Sequence, residues 1–100
     1  MAEIIWTEPA LAELNELAEY IAFDNPHAAR ALVKRVFEKT QRLENFPDSG
    51  RTPPELPNSV YRELVVPPCR VFYRRAEQQV FILLVMRDER KLRAFMLGGT

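Results

Sequence analysis

The sequence contains very few of the residue types that build disulfides, metal centres and phosphate-binding loops. Among its 100 residues there is one cysteine, Cys69, and one histidine, His27. A single thiol excludes an intramolecular disulfide, and one cysteine with one histidine is too few for the usual zinc sites. The three glycines, Gly50, Gly98 and Gly99, do not form a loop that could cradle a phosphate. We therefore expect no metal and no cofactor.

Long apolar runs are also absent, although 47% of the residues are hydrophobic. The longest strand-like run, residues 80–86, is much shorter than the ~20 residues that a helix needs to cross a membrane. The N-terminus lacks the basic start and apolar stretch of a secretion signal. A chain of this length can form one hydrophobic core, so the sequence predicts a single cytoplasmic domain over residues 1–100.

The formal net charge is zero, but the charges are distributed unevenly along the chain. Residues 1–25 hold six acids and no lysine or arginine, whereas residues 26–100 hold fourteen bases and eight acids. Strong sequence-independent binding of nucleic acid usually needs a large basic surface, so the neutral net charge weakens that alternative without excluding a local basic patch. A protein partner fits the charge balance at least as well.

The N-terminal half has the pattern of a short strand followed by two amphipathic helices. Residues 3–6 are β-prone, and Thr7 can cap a helix that begins near residue 8. Apolar residues follow at helical spacing, with acidic residues such as Glu13 on the solvent side. Asn25 and Pro26 then end this helix and begin a second one, whose solvent side is basic. We predict a tight two-helix hairpin.

The C-terminal half predicts three neighbouring antiparallel strands. They cover residues 62–66, 69–75 and 80–86, and short turn-forming segments separate them. The last of these strands is apolar throughout, which is typical of a strand that is covered on both faces at the centre of a sheet. Residues 46–59 are rich in proline and other turn formers, which indicates a surface loop between the hairpin and the sheet.

Together these elements predict an α+β fold. A short N-terminal strand and a two-helix hairpin pack on an antiparallel sheet of three to four strands. After the last strand, we expect Asp88 to cap a short C-terminal helix with Leu92, Phe95 and Met96 facing inward.

Short motifs recur along nearly the whole chain in a specific order and spacing. They are Trp6-Thr7, Tyr20-Ile21, Asn25 to Ala29, Leu43 to Pro47, Gly50-Arg51, Tyr61-Arg62, Arg70 to Tyr73 and Val85 to Asp88. With the order of the predicted elements, they resemble the ParE/RelE superfamily of type II toxin–antitoxin toxins. The likeness is closer to the ParE branch.

The resemblance implies a growth-inhibiting toxin of a plasmid-stabilising type, which a cognate ParD-like antitoxin neutralises in a heterotetramer or a larger complex. ParE-like members poison DNA gyrase and so block DNA replication, whereas RelE-like members cleave mRNA on the ribosome. A third alternative is a protein that keeps the fold, has lost toxicity and only binds its antitoxin. Because one fold carries these different activities, the residues have to decide between them.

The RelE-like alternative needs groups that can cleave RNA. Attack by the 2′-hydroxyl requires a base, an acid and cations that stabilise the phosphate. In this alternative Arg51, Arg62 and Arg70 would bind phosphate, and Tyr73 would assist proton transfer. A tyrosine on a strand is more often a packing residue, and His27 lies at the start of the second helix, away from the strands.

RelE-like nucleases also carry a basic residue and a tyrosine near the last strand and the C-terminal helix. Asp88 and Ala94 or Phe95 stand at the corresponding places here. This departure and the neutral net charge favour a toxin that acts by binding rather than by catalysis. We therefore predict inhibition of DNA gyrase, with nucleic acid contacted only through the complex of gyrase and DNA.

Two surfaces follow from this hypothesis. A target-binding face would collect basic residues of the loop, the strands and the C-terminal segment: Arg51, Arg62, Arg70, Arg87, Arg90, Lys91 and Arg93. An antitoxin-binding groove would use large apolar residues that exceed what one small core can hide: Tyr20, Phe23, Phe37, Phe81, Leu83, Phe95 and Met96. The alternatives are charges paired with neighbours such as Glu63 or Asp88, and apolar residues that all lie in the core.

Overall fold

A four-stranded sheet is the centre of the fold in the computed structural model, which describes residues 1–98. The strands are β1 (Glu3–Trp6), β2 (Tyr61–Val66), β3 (Cys69–Ala76) and β4 (Gln79–Arg87), and their order is β1-β4-β3-β2. β2, β3 and β4 are antiparallel neighbours, as the short connections predict. β1 pairs with β4 in parallel, so the N-terminal strand makes the sheet mixed.

β4 lies between β1 and β3, which confirms the central position that its apolar sequence predicts. It pairs with β3 over residues 79–87, with an irregularity of register next to Phe72 and Tyr73. On its other side β4 pairs with β1 only from Gln79 to Ile82. β4 therefore continues to Arg87 along an edge that β1 does not reach.

Two helices, α1 (Glu8–Asp24) and α2 (Pro26–Gln41), form the predicted hairpin. The Thr7 hydroxyl accepts the N–H of Ala10 at 3.4 Å and donates to the carbonyl oxygen of Ile82 at 2.7 Å. The same side chain thus caps α1 and ties its first turn to β4.

The turn between the helices follows the local signals of the sequence. The Asn25 side chain accepts the N–H of Ala28 at 3.0 Å, and Pro26 occupies the first turn of α2, where its missing N–H costs nothing. A 3₁₀ turn, Arg42–Glu44, follows α2 and leads into the loop that precedes β2.

Apolar side chains pack on both faces of the sheet, because successive residues of a strand point to opposite sides. The larger cluster packs under the helices and includes Ala10, Leu14, Leu32, Val36, Leu43, Val66, Val71, Tyr73, Val80, Ile82 and Val85. The smaller cluster joins the sheet to the loop and the C-terminal segment and includes Phe72, Leu84, Met86, Leu92 and Leu97. The sheet is therefore a buried layer rather than an open platform.

The C-terminal segment takes a different form from the helix that Asp88 was expected to cap. Residues 91–93 are not helical, and a single 3₁₀ turn, Ala94–Leu97, follows them. Phe95, expected to face inward, is 78% exposed, and Leu92 and Leu97 are the buried residues of the segment. The Leu92 N–H donates to the Glu55 carboxylate at 3.1 Å, in place of the bond to the carbonyl oxygen of residue 88 that a helix capped there would give it.

Replacing Asn25 with alanine is expected to lower the free energy of unfolding by ~1 kcal/mol, because the Ala28 N–H loses its acceptor. Urea unfolding measures the change. Asp24→Ala is the matched control, since Asp24 is a neighbouring exposed residue outside the cap and should shift stability by less than about 0.5 kcal/mol. Equal effects of the two substitutions would contradict the capping role.

Candidate functional site

The arginine of β3 lies in a buried network of charges. The side chain of Arg70 is 8% exposed, and its Nε donates to Oε1 of Glu63 at 2.6 Å. Its two terminal nitrogens donate to the Glu55 carboxylate, each at 2.8 Å. The other oxygen of Glu63 accepts the Nε of Arg51 at 2.6 Å. Two arginines thus compensate the charge of Glu63, whose side chain is completely buried.

The network changes the protonation of its members. Hydrogen bonds from Arg70 are the main reason why the pKa of Glu55 falls from 4.5 to about 2. The same hydrogen bonds raise the pKa of Arg70. The Arg70 guanidinium also lies 4.8 Å from the centroid of the Phe72 ring, where a cation interacts favourably with the aromatic face. The guanidinium of Arg70 is therefore hydrogen-bonded through its nitrogens and packed against an aromatic ring inside the protein.

Tyr73, the proton-transfer candidate, is completely buried. Its hydroxyl oxygen accepts the N–H of Gly50 at 2.9 Å. Burial raises the pKa of this phenol. A Cβ added at Gly50 would lie 2.6 Å from the Tyr73 hydroxyl oxygen and 2.7 Å from the carbonyl oxygen of Glu63, so only glycine allows this close approach. Tyr73 therefore holds the loop against the sheet, and its buried hydroxyl is not accessible to a substrate.

The other predicted target-binding residues belong to two parts of the chain. Near the loop, Arg62 donates to the Gly50 carbonyl oxygen at 2.7 Å, and the side chain of Arg51 is 60% exposed. At the end of β4 and beyond it lie four exposed bases: Arg87, Arg90, Lys91 and Arg93. Arg70 lies buried between these two groups: it donates to Glu55 of the loop and, at 3.5 Å, to the carbonyl oxygen of Arg90. Arg51, Arg70 and Asp88 line one pocket, so the loop and the C-terminal segment are neighbours.

A groove of about 600 Å³ lies between α1 and the outer edge of β4. Its lining residues are Glu13, Glu16, Leu17, Tyr20, Leu84, Val85, Met86, Arg87, Arg90, Phe95 and Met96. Tyr20 is 66% exposed, and the Arg87 guanidinium lies 5.0 Å from the centroid of its ring. The groove contains three of the predicted antitoxin-binding residues, namely Tyr20, Phe95 and Met96.

The remaining predicted antitoxin-binding residues lie outside this groove. Phe23 is 91% exposed near the end of α1. Phe37 packs on Trp6, with ring centroids 5.0 Å apart, and keeps 40% of its surface exposed. Phe81 and Leu83 are half-buried on β4. None of the seven predicted residues is fully buried, so the expected excess of apolar surface is present, and its role in antitoxin binding stays a prediction.

Sequence reasoning missed the groove's polar contact with β4. The Glu13 carboxylate accepts the N–H of Val85 at 3.0 Å, and burial raises the pKa of this carboxyl group. The helical pattern places Glu13 only on the solvent side of α1, because nothing local to the sequence shows that β4 passes beneath it. Glu55 was missed for the same reason, since its partners Arg70 and Leu92 are distant along the chain.

The ionisable side chains of the groove are two carboxylates and one tyrosine on α1, Arg87 at the end of β4 and Arg90 beyond it. Within residues 1–98, no cluster of three or more histidine, cysteine or acidic side chains could hold a metal ion. Across the same residues, no helix has the length and apolar character that a membrane span requires.

Known proteins share this sequence pattern over most of the chain. The family described as the ParE toxin of the type II toxin–antitoxin system parDE matches residues 4–92. The chain belongs to the ParE toxin family. Toxin RelE2 of Caulobacter vibrioides is 34% identical over 91 residues, which cover 90% of this chain and 99% of that protein. Y4kP of Sinorhizobium fredii is 39% identical over 85 residues, covering 83% and 84% of the two chains.

A solved structure has the same fold. A chain of the chromosomal ParDE toxin–antitoxin system from P. aeruginosa matches with a TM-score of 0.73, and the match covers 87% of this chain and 96% of that one at 24% identity. The predicted fold class and the resemblance to the ParE/RelE superfamily are confirmed. As a ParE-type toxin of a type II system, the chain has an antitoxin as its partner.

Replacing Arg70 with alanine is expected to lower the free energy of unfolding by ~3 kcal/mol or more, because Glu63 and Glu55 lose a buried partner. Arg93→Ala removes an exposed arginine and should change stability by less than about 0.5 kcal/mol. Urea unfolding of both variants measures the difference. If Arg70→Ala were as stable as Arg93→Ala, the network would have no structural role.

Acid should weaken the same network. The pKa of Glu55 falls from its ordinary value of 4.5 to about 2 in the folded state. The ion pair of Glu55 with Arg70 therefore contributes fully to stability above about pH 4.5, and this stability is lost as the pH falls towards 2. Glu55→Gln should be less stable than the wild type at neutral pH and should lose less stability between about pH 5 and about pH 3. Urea midpoints across this range give the measurement, and parallel curves for the two proteins would contradict the assignment.

Proposed function

We propose that this chain is a toxin that inhibits DNA gyrase by binding and so stops DNA replication. The observation that supports binding over RNA cleavage is the burial of Arg70 and Tyr73, two of the four residues that the ribonuclease alternative requires. A catalytic group has to reach the 2′-hydroxyl or the scissile phosphate. Arg70 is instead bonded to Glu55 and Glu63, and Tyr73 to the backbone of Gly50.

The exposed bases at the C-terminal end supply the proposed contact with the target. Arg87, Arg90, Lys91 and Arg93 lie between the end of β4 and the last segment, against two acids, Asp88 and Glu89, of which Glu89 pairs with Arg87 at 2.8 Å. A concentration of positive charge on a neutral protein attracts an acidic protein surface, or DNA that an enzyme holds, and accelerates the encounter. We assign target binding to these four residues, with Arg51 and Arg62 as a second group, and we assign Arg70 to stability.

The antitoxin completes the proposal. It would bind the apolar groove in a heterotetramer or a larger assembly and keep the toxin inactive in the cytoplasm, where gyrase and DNA are present. Where a plasmid carries both genes, such a pair would stabilise the plasmid, because cells that lose the plasmid also lose the supply of antitoxin.

The test compares two targets in parallel. The purified chain is added to DNA gyrase with relaxed and supercoiled plasmid, and also to ribosomes programmed with mRNA. We expect blocked supercoiling or trapped cleaved DNA, and intact mRNA. Cut mRNA with unaffected gyrase would contradict the proposal and would make the exposed Arg51 and Arg62 the first residues to replace. No effect in either assay and normal growth on expression would indicate a protein that only binds its antitoxin.

Replacing both Arg90 and Lys91 with alanine is expected to weaken gyrase inhibition by about tenfold or more, because the proposed contact loses two charges. The matched control replaces Arg30 and Lys34, two exposed bases of α2, and so removes the same charge from another face. Concentrations for half-maximal inhibition of supercoiling give the comparison, with urea unfolding to show that both variants are folded. Equal effects of the two double substitutions would contradict a localised target-binding segment.

A further inference from the structure

The segment that carries most of the exposed C-terminal bases has no regular secondary structure. Residues 88–93 leave β4 and reach the last 3₁₀ turn without forming a helix or a strand. Arg90, Lys91 and Arg93 are exposed on this segment, whereas Leu92 is 2% exposed and packs in the smaller apolar cluster. Because its backbone lacks the regular partners of a helix or a sheet, contacts from other parts of the chain determine its path.

A carboxylate of the loop supplies such a contact. Oε2 of Glu55 accepts the N–H of Leu92 at 3.1 Å and also a terminal nitrogen of Arg70 at 2.8 Å. The same nitrogen of Arg70 donates to the carbonyl oxygen of Arg90 at 3.5 Å. One ion pair therefore holds the backbone on both sides of Lys91.

Glu55 is suited to hold this backbone at neutral pH. Hydrogen bonds from Arg70 are the main reason why its pKa is lowered to about 2, so the group is a carboxylate throughout the physiological range. A hydrogen bond to an ionised acceptor is roughly twice as strong as one between neutral groups. The side chain of Glu55 is 15% exposed, so most of it is covered by its own protein and does not meet a partner.

We propose that Glu55 is a positioning residue for target binding, which holds the backbone at Leu92 and so fixes Arg90 and Lys91 in the orientation that the target meets. The proposal rests on the assignment of these bases to the target under the proposed function. Bases that are fixed before the encounter lose less conformational entropy on binding than bases on a mobile segment, so the contact is tighter.

The two buried acids of the network differ in what they hold. Glu63 accepts from Arg51 and Arg70 and so connects the loop to β2 and β3. Glu55 accepts from Arg70 and from the backbone of Leu92, and so connects the loop to the C-terminal segment. Loss of Glu55 is therefore expected to release the segment while the sheet keeps its own contacts.

Amide exchange tests whether Glu55 holds the segment. In Glu55→Ala the Leu92 N–H loses its acceptor, and we expect it to exchange with solvent within about tenfold of the rate of an unstructured peptide. The Val71 amide should stay protected, because Val71 pairs within the sheet between β2 and β4. Asn25→Ala is the matched control, since it weakens the fold at the helix hairpin, and should leave both amides protected.

A double-mutant cycle tests whether Glu55 acts through the bases. We expect Glu55→Ala to raise the toxin concentration for half-maximal inhibition of supercoiling by about tenfold, as for the joint replacement of Arg90 and Lys91 with alanine. If Glu55 acts by positioning these two bases, the combined variant should lose only about a further twofold, instead of the roughly hundredfold that two independent losses would give.

Lost stability has to be separated from lost positioning in this cycle. Each variant is assayed under conditions in which urea unfolding shows that it is folded. Asn25→Ala gives the effect of lost stability alone and should change inhibition by less than about twofold. Where Glu55→Ala does not fold, Glu55→Gln takes its place, because it removes the charge at nearly the same volume and should show coupling of the same sign.

Three outcomes would overturn the proposal. A Leu92 amide that stays protected in Glu55→Ala would show that other contacts hold the segment. Losses that multiply in the cycle would show that Glu55 acts apart from the bases. If replacing Arg90 and Lys91 left gyrase inhibition unchanged, the assignment of these bases to the target would fail, and the positioning role would fail with it, whatever the exchange of the Leu92 amide.

Discussion

The buried carboxylate of Glu63 organises the part of the molecule that faces away from the helices. Its two oxygens accept from Arg51 and Arg70, while its backbone forms a bridge with Arg51. Arg70 continues the network to Glu55, which accepts the N–H of Leu92. One chain of charged contacts thus connects the loop, two strands and the C-terminal segment. A buried charge without such partners would be strongly destabilising, so these elements depend on one another.

Because these elements depend on the charge network, arginines on the strands can have a structural role that the sequence alone does not reveal. A row of arginines on strands has the same pattern whether it binds a phosphate or neutralises buried acids. The hydrogen-bond partners distinguish these two roles. Glu55 and Glu63 accept hydrogen bonds from Arg70, and the Gly50 N–H donates to the hydroxyl of Tyr73, so both side chains have partners within the fold. Residues with such structural partners are poor reporters of function, because we expect their loss to destabilise the protein. The bases at the C-terminal end differ, since they are exposed and Arg87 pairs with the exposed Glu89 rather than with a buried acid.

The sequence predicts the hairpin and the strand order because their signals are local. Thr7, Asn25 and Pro26 begin helices through contacts within a few residues of their own positions. Strands that are joined by short connections pair as antiparallel neighbours. The parallel position of β1, the contact of Glu13 with Val85 and the path of the C-terminal segment depend on residues that are distant along the chain. Periodicity carries no information about such contacts, so the groove could be predicted only as an excess of apolar residues.

The shortness of β1 connects the fold to the groove. Thr7 has to cap α1, and its hydroxyl also donates to Ile82, so the chain leaves the sheet at this point and cannot cover the rest of β4. The acidic first helix and the basic end of β4 then become opposite walls over an open strand edge. Two carboxylates from the acidic start of the sequence and two arginines from its basic remainder therefore face each other across one groove, which the short β1 leaves uncovered.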